Sequence, residues 1–172
     1  VHLPVQSQGH AGVINYDLAM NRSRYVSRPL DKTDRVIIAA LFENGRMTVR
    51  DLATQIGLSS PSVTERIHKL EDAGAIRGYT VAVDPKAFGL GITAYVRLRA
   101  MPGEMKRVAQ MLGDSPEVVE ADRVTGEDCF LAKIMVIDVD ELEKVIDRFL
   151  PISSTDTSIL QSSAVVRRLP KL

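Results

Sequence analysis

One cysteine, no tryptophan and only four phenylalanines and four tyrosines set this 172-residue chain apart by what it lacks. A single thiol, Cys129, cannot close an internal disulfide, and the same count excludes a CxxC or Cys/His zinc cluster. No apolar run approaches the roughly 18 residues a membrane span needs; the longest reaches only from Val36 to Phe42. Residues 1–29 lack the apolar core of a secretory signal, so the expected compartment is a reducing cytoplasm, with no membrane partner. Charge of one sign is missing too: 22 Lys and Arg balance 22 Asp and Glu. Neutrality argues against a basic protein that coats nucleic acid, but a DNA footprint needs only a local basic face. The balance is in fact uneven. Residues 20–80 carry ten basic against seven acidic side chains, and residues 81–172 carry twelve against fourteen.

What is present is a sequence of capped helices followed by alternating strands. Residues 1–29 show no sustained period and read as a flexible arm or an appended extension. Met20 could be a native start, and Arg22, Arg24 and Arg28 make the arm mildly basic. Asp31 then caps a helix bearing Ile37, Ile38, Leu41 and Phe42, ended by Asn44-Gly45. Thr48 and Asp51 stand as the cap and third residue of a short helix with Leu52, Ala53 and Ile56, which Gly57 stops. In Leu58-Ser59-Ser60-Pro61 a serine cap precedes a third helix with Pro61 at its first position, where a missing N–H costs nothing. Its apolar stripe is Val63, Ile67 and Leu70, and Ala73-Gly74 ends it. Residues 77–83 read as a strand closed by Asp84-Pro85. Three short helices and a strand follow the order of a winged helix-turn-helix over residues 30–84.

Residues 85–91, with two glycines, read as a hinge. Beyond it, Ile92, Ala94, Val96 and Leu98 alternate with polar neighbours as a half-buried strand. Pro102-Gly103 begins a helix carrying Val108, Met111 and Leu112. Val118–Thr125 and Cys129–Ile137 are strands around the turn at Gly126, and Asp138 caps a helix with Leu142, Val145, Ile146 and Phe149. A last strand spans Thr155–Arg167. The order β-α-β-β-α-β over residues 92–172 is the ferredoxin-like plan, so the fold class is α+β. One face of such a sheet is left to find a cover, which predicts pairing with a second copy of the chain.

Leu30-Asp31 with Asp34, Ile37 and Asn44-Gly45-Arg46 resemble the first-helix signature of the Lrp/AsnC (feast/famine) transcriptional regulators. Leu58-Ser59, Val63, Arg66-Ile67, Leu70-Glu71, Gly74 and Ile76 are similar to the recognition-helix signature of that family. Gly78-Tyr79 with Asp84-Pro85 look like its wing and hinge, and Thr125-Gly126-Glu127 resembles the turn at the head of its sensing domain. The resemblance spans about residues 30–168. It implies a nucleoid-associated DNA-binding regulator that is not an enzyme, with a RAM/ACT-like domain sensing an amino acid and no other cofactor. It also implies dimers assembled into tetramers or octamers. A DNA-compacting architectural protein of the same family would use the same contacts, and a metabolite-binding subunit without a DNA role is the rival of another class.

Candidate site residues follow from both readings. On the third helix Ser60, Pro61, Ser62, Glu65, His68 and Lys69 face away from the apolar stripe, as in a helix laid in the major groove. Ser62 can bond several bases and Glu65 can accept from cytosine N4. Arg66, beside the stripe, either reaches a phosphate or guanine or serves an internal ion pair. Ser59, Lys69, Arg77, Arg46 and Arg50 are candidate phosphate contacts. The bland alternative is a solvated helix face with ordinary surface arginines. For the effector, Gly126, Glu127 and Asp128 combine close backbone approach with carboxylates suited to an α-ammonium group. Thr157 and Ser158 are candidate walls. Read blandly, the same Gly-Glu-Asp is a hairpin turn with solvated acids. Many relatives carry an aspartate at the position of Cys129, so its absence bears on which effector is taken. No histidine stands at motif spacing from Cys129, and no His/Asp/Glu spacing forms a metal site.

Overall fold

The computed structural model describes residues 29–165 and 167–171. The predicted arm, up to residue 28, lies outside the described residues. Two compact units divide the chain, one of residues 29–81 with 167–171, the other of residues 82–165.

The first unit holds three helices, α1 (Lys32–Glu43), α2 (Val49–Ile56) and α3 (Ser60–Asp72). Each starts where an oxygen-bearing side chain takes up an otherwise orphaned N–H. Asp31 accepts from the Asp34 N–H, Thr48 from that of Asp51, and Ser59 from that of Ser62. Gly57 ends α2 in the left-handed region, with φ 70°. Ile37, Leu52 and Val63 are fully buried at the centre, joined by Ala40, Ala53 and Leu70. The stripe of α1 departs from expectation in two places. Phe42 is 41% exposed, and the stripe runs instead through Ala40 and back to Asp34, which is only 2% exposed.

The second unit is a four-stranded antiparallel sheet of β1 (Ile92–Ala100), β2 (Val118–Arg123), β3 (Phe130–Val136) and β4 (Ser153–Ile159), in spatial order β2-β3-β1-β4. Helices α4 (Met105–Asp114) and α5 (Val139–Phe149) supply Val108, Leu112, Leu142, Val145 and Phe149 to a core shared with Ala94, Val96, Leu98, Ala132, Ile134 and Val136. Alternation puts those strand residues on one face and Tyr95, Arg97, Arg99, Leu131 and Lys133 on the other. Gly91 is held by close approach: a Cβ there would lie 2.8 Å from the Ile137 carbonyl oxygen.

Three elements differ from the sequence reading. Residues 77–83 form no strand; Tyr79, Val81 and Val83 are 54%, 80% and 61% exposed. A strand exists only with a neighbour to take its N–H and C=O groups, and no described segment forms a ladder with this one. Helix α4 begins at Met105 rather than at Pro102, because Gly103 sits at φ 87°, outside helical space. The last strand covers Ser153–Ile159 rather than 155–167. Its ladder with β1 ends at the Ala94–Ile159 pair, followed by one bond from the Leu160 N–H to the Thr93 carbonyl, near the start of β1. The predicted hinge contains a single 3-10 turn, Pro85–Phe88.

Candidate nucleic-acid interface and effector cleft

Helix α3 turns its N-terminal end outward. Ser59, Pro61, Ser62, Glu65, His68 and Lys69 are exposed and Ser60 is half-buried, whereas Val63 and Leu70 are buried. The Ser59 hydroxyl, spent on the cap, also lies 2.9 Å from the Ser62 hydroxyl, so the two serines form one polar tip. Lys69 donates to Glu65 at 2.5 Å along the same face, and this bond holds the Glu65 carboxyl below its usual range. Arg46, Arg50 and Arg77 are exposed and make no ion pair among the described residues.

Arg66 does not share that face. Its Nη1 donates to Asp31 Oδ2 at 2.7 Å and to Asp34 Oδ1 at 2.8 Å. Of the two readings open for this residue, the structure puts it in the internal ion pair, because the helical period carries position 66 toward the start of α1.

Of the effector candidates, Gly126, Glu127 and Asp128 lie together at one end of the outer sheet face. Gly126 turns the chain at φ 119°. Glu127 then accepts from Arg99 Nη2 at 2.7 Å, and Asp128 lies 3.7 Å from Arg99 and 3.9 Å from Arg97. Arg97 also donates to Asp156 at 2.6 Å, which raises its already high pKa. Arg97, Arg99, Asp128, Ser154, Thr155 and Asp156 line an open polar cleft of about 410 Å³. Guanidinium and carboxylate groups a few ångströms apart suit a small zwitterion, each sign finding its complement.

Thr157 and Ser158 are not in this cleft. Adjacent strand residues face opposite ways, so Thr157 pairs with Val96 on the helix side and Ser158 with Tyr95 on the outer side, one step farther along. Arg97, Arg99, Ser154, Thr155 and Asp156, which line the cleft, were missed as candidates. The alternation of β1 already faced both arginines outward, but their meeting with β4 depends on a register that no local pattern fixes. Cys129 is a free, half-buried thiol packed against the core. Among the described residues no His, Cys, Asp or Glu group could hold a metal, and no helix is long and apolar enough to cross a membrane.

A capped three-helix reader followed by a βαββαβ sheet defines a helix-turn-helix regulator with an attached ligand-binding-type domain. Comparison with known proteins bears this out. Residues 30–77 match the model of a winged helix-turn-helix DNA-binding domain, and residues 93–170 match that of the Lrp/AsnC ligand binding domain. The transcriptional regulator LrpC of Bacillus subtilis is 32% identical over 133 residues, covering 77% of this chain and 92% of its own. The solved structure of LrpC superposes with a TM-score of 0.77 at 31% identity, over 81% of this chain and all of that one. A Neisseria meningitidis regulator, NMB0573, solved as an L-Met complex, gives a TM-score of 0.76 at 28% identity, over 83% and 97% of the two chains. The chain belongs to the Lrp/AsnC family of transcriptional regulators. Its relatives are named HTH-type transcriptional regulators, and the family is not an enzymatic one.

Proposed function

We propose that this regulator reads DNA with the exposed N-terminal face of α3 and answers to an amino acid bound beside Gly126. The observation that carries the reading is the polar tip of α3: Pro61, Ser62 and Glu65 are exposed, with Ser60 half-buried beside them, on a helix capped by Ser59. In a major groove, Ser62 and Glu65 face base edges, while Ser59, Lys69, Arg46, Arg50 and Arg77 supply phosphate contacts that set register. Residues 30–84 act as the DNA-binding part, 85–91 as the hinge and 92–172 as the sensing and assembling part.

Duplexes selected from a random pool by the protein test this. Ser62→Ala with Glu65→Ala should weaken the selected duplex by about 1–3 kcal/mol and relax the preference at the contacted positions. An unchanged preference would move the reading surface off α3.

The cleft supports an amino-acid effector, in line with the L-Met complex of the Neisseria relative. An ammonium group finds Glu127 or Asp128, and a carboxylate finds Arg97 or Arg99. Such a ligand changes DNA binding only if it favours one arrangement of subunits over another. Calorimetry against the twenty amino acids should show a binder, lost in Asp128→Asn. This variant is preferable to a change at Gly126, where φ 119° strains any side chain. Heat from no amino acid would place the effector in another chemical class.

A further inference from the structure

This inference rests on the DNA-reading role of α3. The capping box of α1 is made of two carboxylates, whereas the usual partners are a hydroxyl and one acid. Asp31 Oδ1 accepts from the Asp34 N–H at 2.7 Å, and Asp34 Oδ2 accepts from the Asp31 N–H at 3.3 Å. Two like charges are thereby held side by side, one of them 2% exposed. A buried charge is tolerated only when paired. The closing partner comes from the reading helix: one nitrogen, Arg66 Nη1, donates to both carboxylates. Helix α3 also meets α1 through the shared apolar cluster of Ile37, Ala40, Val63 and Leu70, and the bridge is the polar link between them.

We infer that Arg66 is a positioning residue for DNA recognition, its guanidinium fixing the rotation of α3 through the paired carboxylates Asp31 and Asp34. Val63 and Leu70 anchor the helix to the core but, as apolar contacts, tolerate small rotations. A guanidinium held at two oxygens does not. A turn of α3 about its axis would sweep Ser62 and Glu65 across the groove, so the exposed face reads bases only while the clamp holds.

This role and direct DNA contact predict opposite signs. Removing an acid near DNA ordinarily strengthens binding by reducing repulsion of phosphate. If Arg66 positions α3, removing its acid partner weakens binding instead. The full-length protein is assayed on a duplex it has itself selected from a random pool, below the onset of unfolding, across a salt series. Asp31→Asn keeps a good N-cap and should bind about tenfold more weakly, the scale of one charge-assisted hydrogen bond. Arg66→Gln should bind at least as weakly with the same slope of log K against log salt, and the double variant should be no worse than Arg66→Gln. If Arg66→Gln does not fold, the exposed Asp31→Asn carries the test alone. Equal or tighter binding by Asp31→Asn overturns the inference, as does a slope reduced by about 0.9 in Arg66→Gln, the signature of a lost phosphate contact. If the wild type selects no sequence, the DNA-reading role itself fails. If it selects one and Asp31→Asn matches it, only the positioning role does.

Discussion

Asp31 accepts hydrogen bonds from two directions, and its acidity records both. The backbone N–H of Asp34 first, and Arg66 second, hold its carboxyl below the ordinary value of 3.8. A native pKa below the unfolded one gives a contribution that is complete above that ordinary value and lost as the pH falls through the native one. Thermal melts should therefore show the helical unit losing stability below about pH 4, less steeply in Asp31→Asn. A melt of Asp31→Asn with the wild-type acid slope would assign that loss to other carboxylates. Asp31 was legible as a cap from its place before an apolar-periodic run. Asp34 was not legible as buried, because an acid in the first turn of a helix is ordinarily solvated and favoured by the helix dipole. Arg66, arriving from 32 residues away, is a partner that no local pattern announces.

At the scale of elements, local chemistry accounts for most boundaries. Ser59-Ser60-Pro61 starts α3, and Gly57 stops α2 because a left-handed φ suits glycine alone; Gly57→Ala should cost about 1–2 kcal/mol in denaturant unfolding. Where the sequence misled, the missing information was a partner. Residues 77–83 carry the alternation of a strand, with Tyr79, Val81 and Val83 at every second position, but pairing is a property of two segments. The end of β4 was misplaced for the same reason. In the sheet unit, Phe149 is fully buried under the strands, and Phe149→Ala should destabilise by about 3–5 kcal/mol. A loss below 1 kcal/mol would mean that the core collapses around the gap.

The molecule as a whole carries an unfinished surface. The outer sheet face mixes Tyr95, Leu131 and Met135 with Arg97, Arg99 and Lys133. The helix-covered side is buried, so a second copy is the natural cover for the other side, and light scattering of the full chain should give an even-numbered oligomer. A monomer at micromolar concentration would refute that assembly. The half-covered sheet was visible in the element order; the charged pattern on it was not, since it depends on which strands become neighbours.

The grouping of residues 167–171 with the helices has an electrostatic consequence. Arg167, Arg168 and Lys171 belong to the helical unit, giving its described residues ten basic against seven acidic side chains, net +3. Residues 82–165 are left with nine against fourteen, net −5. A chain that is neutral in sum thus divides its charge between two units of opposite sign. Near a polyanion the helical unit taken by itself is attracted and the sheet unit taken by itself is repelled, and both effects fade as salt shortens the reach of the field.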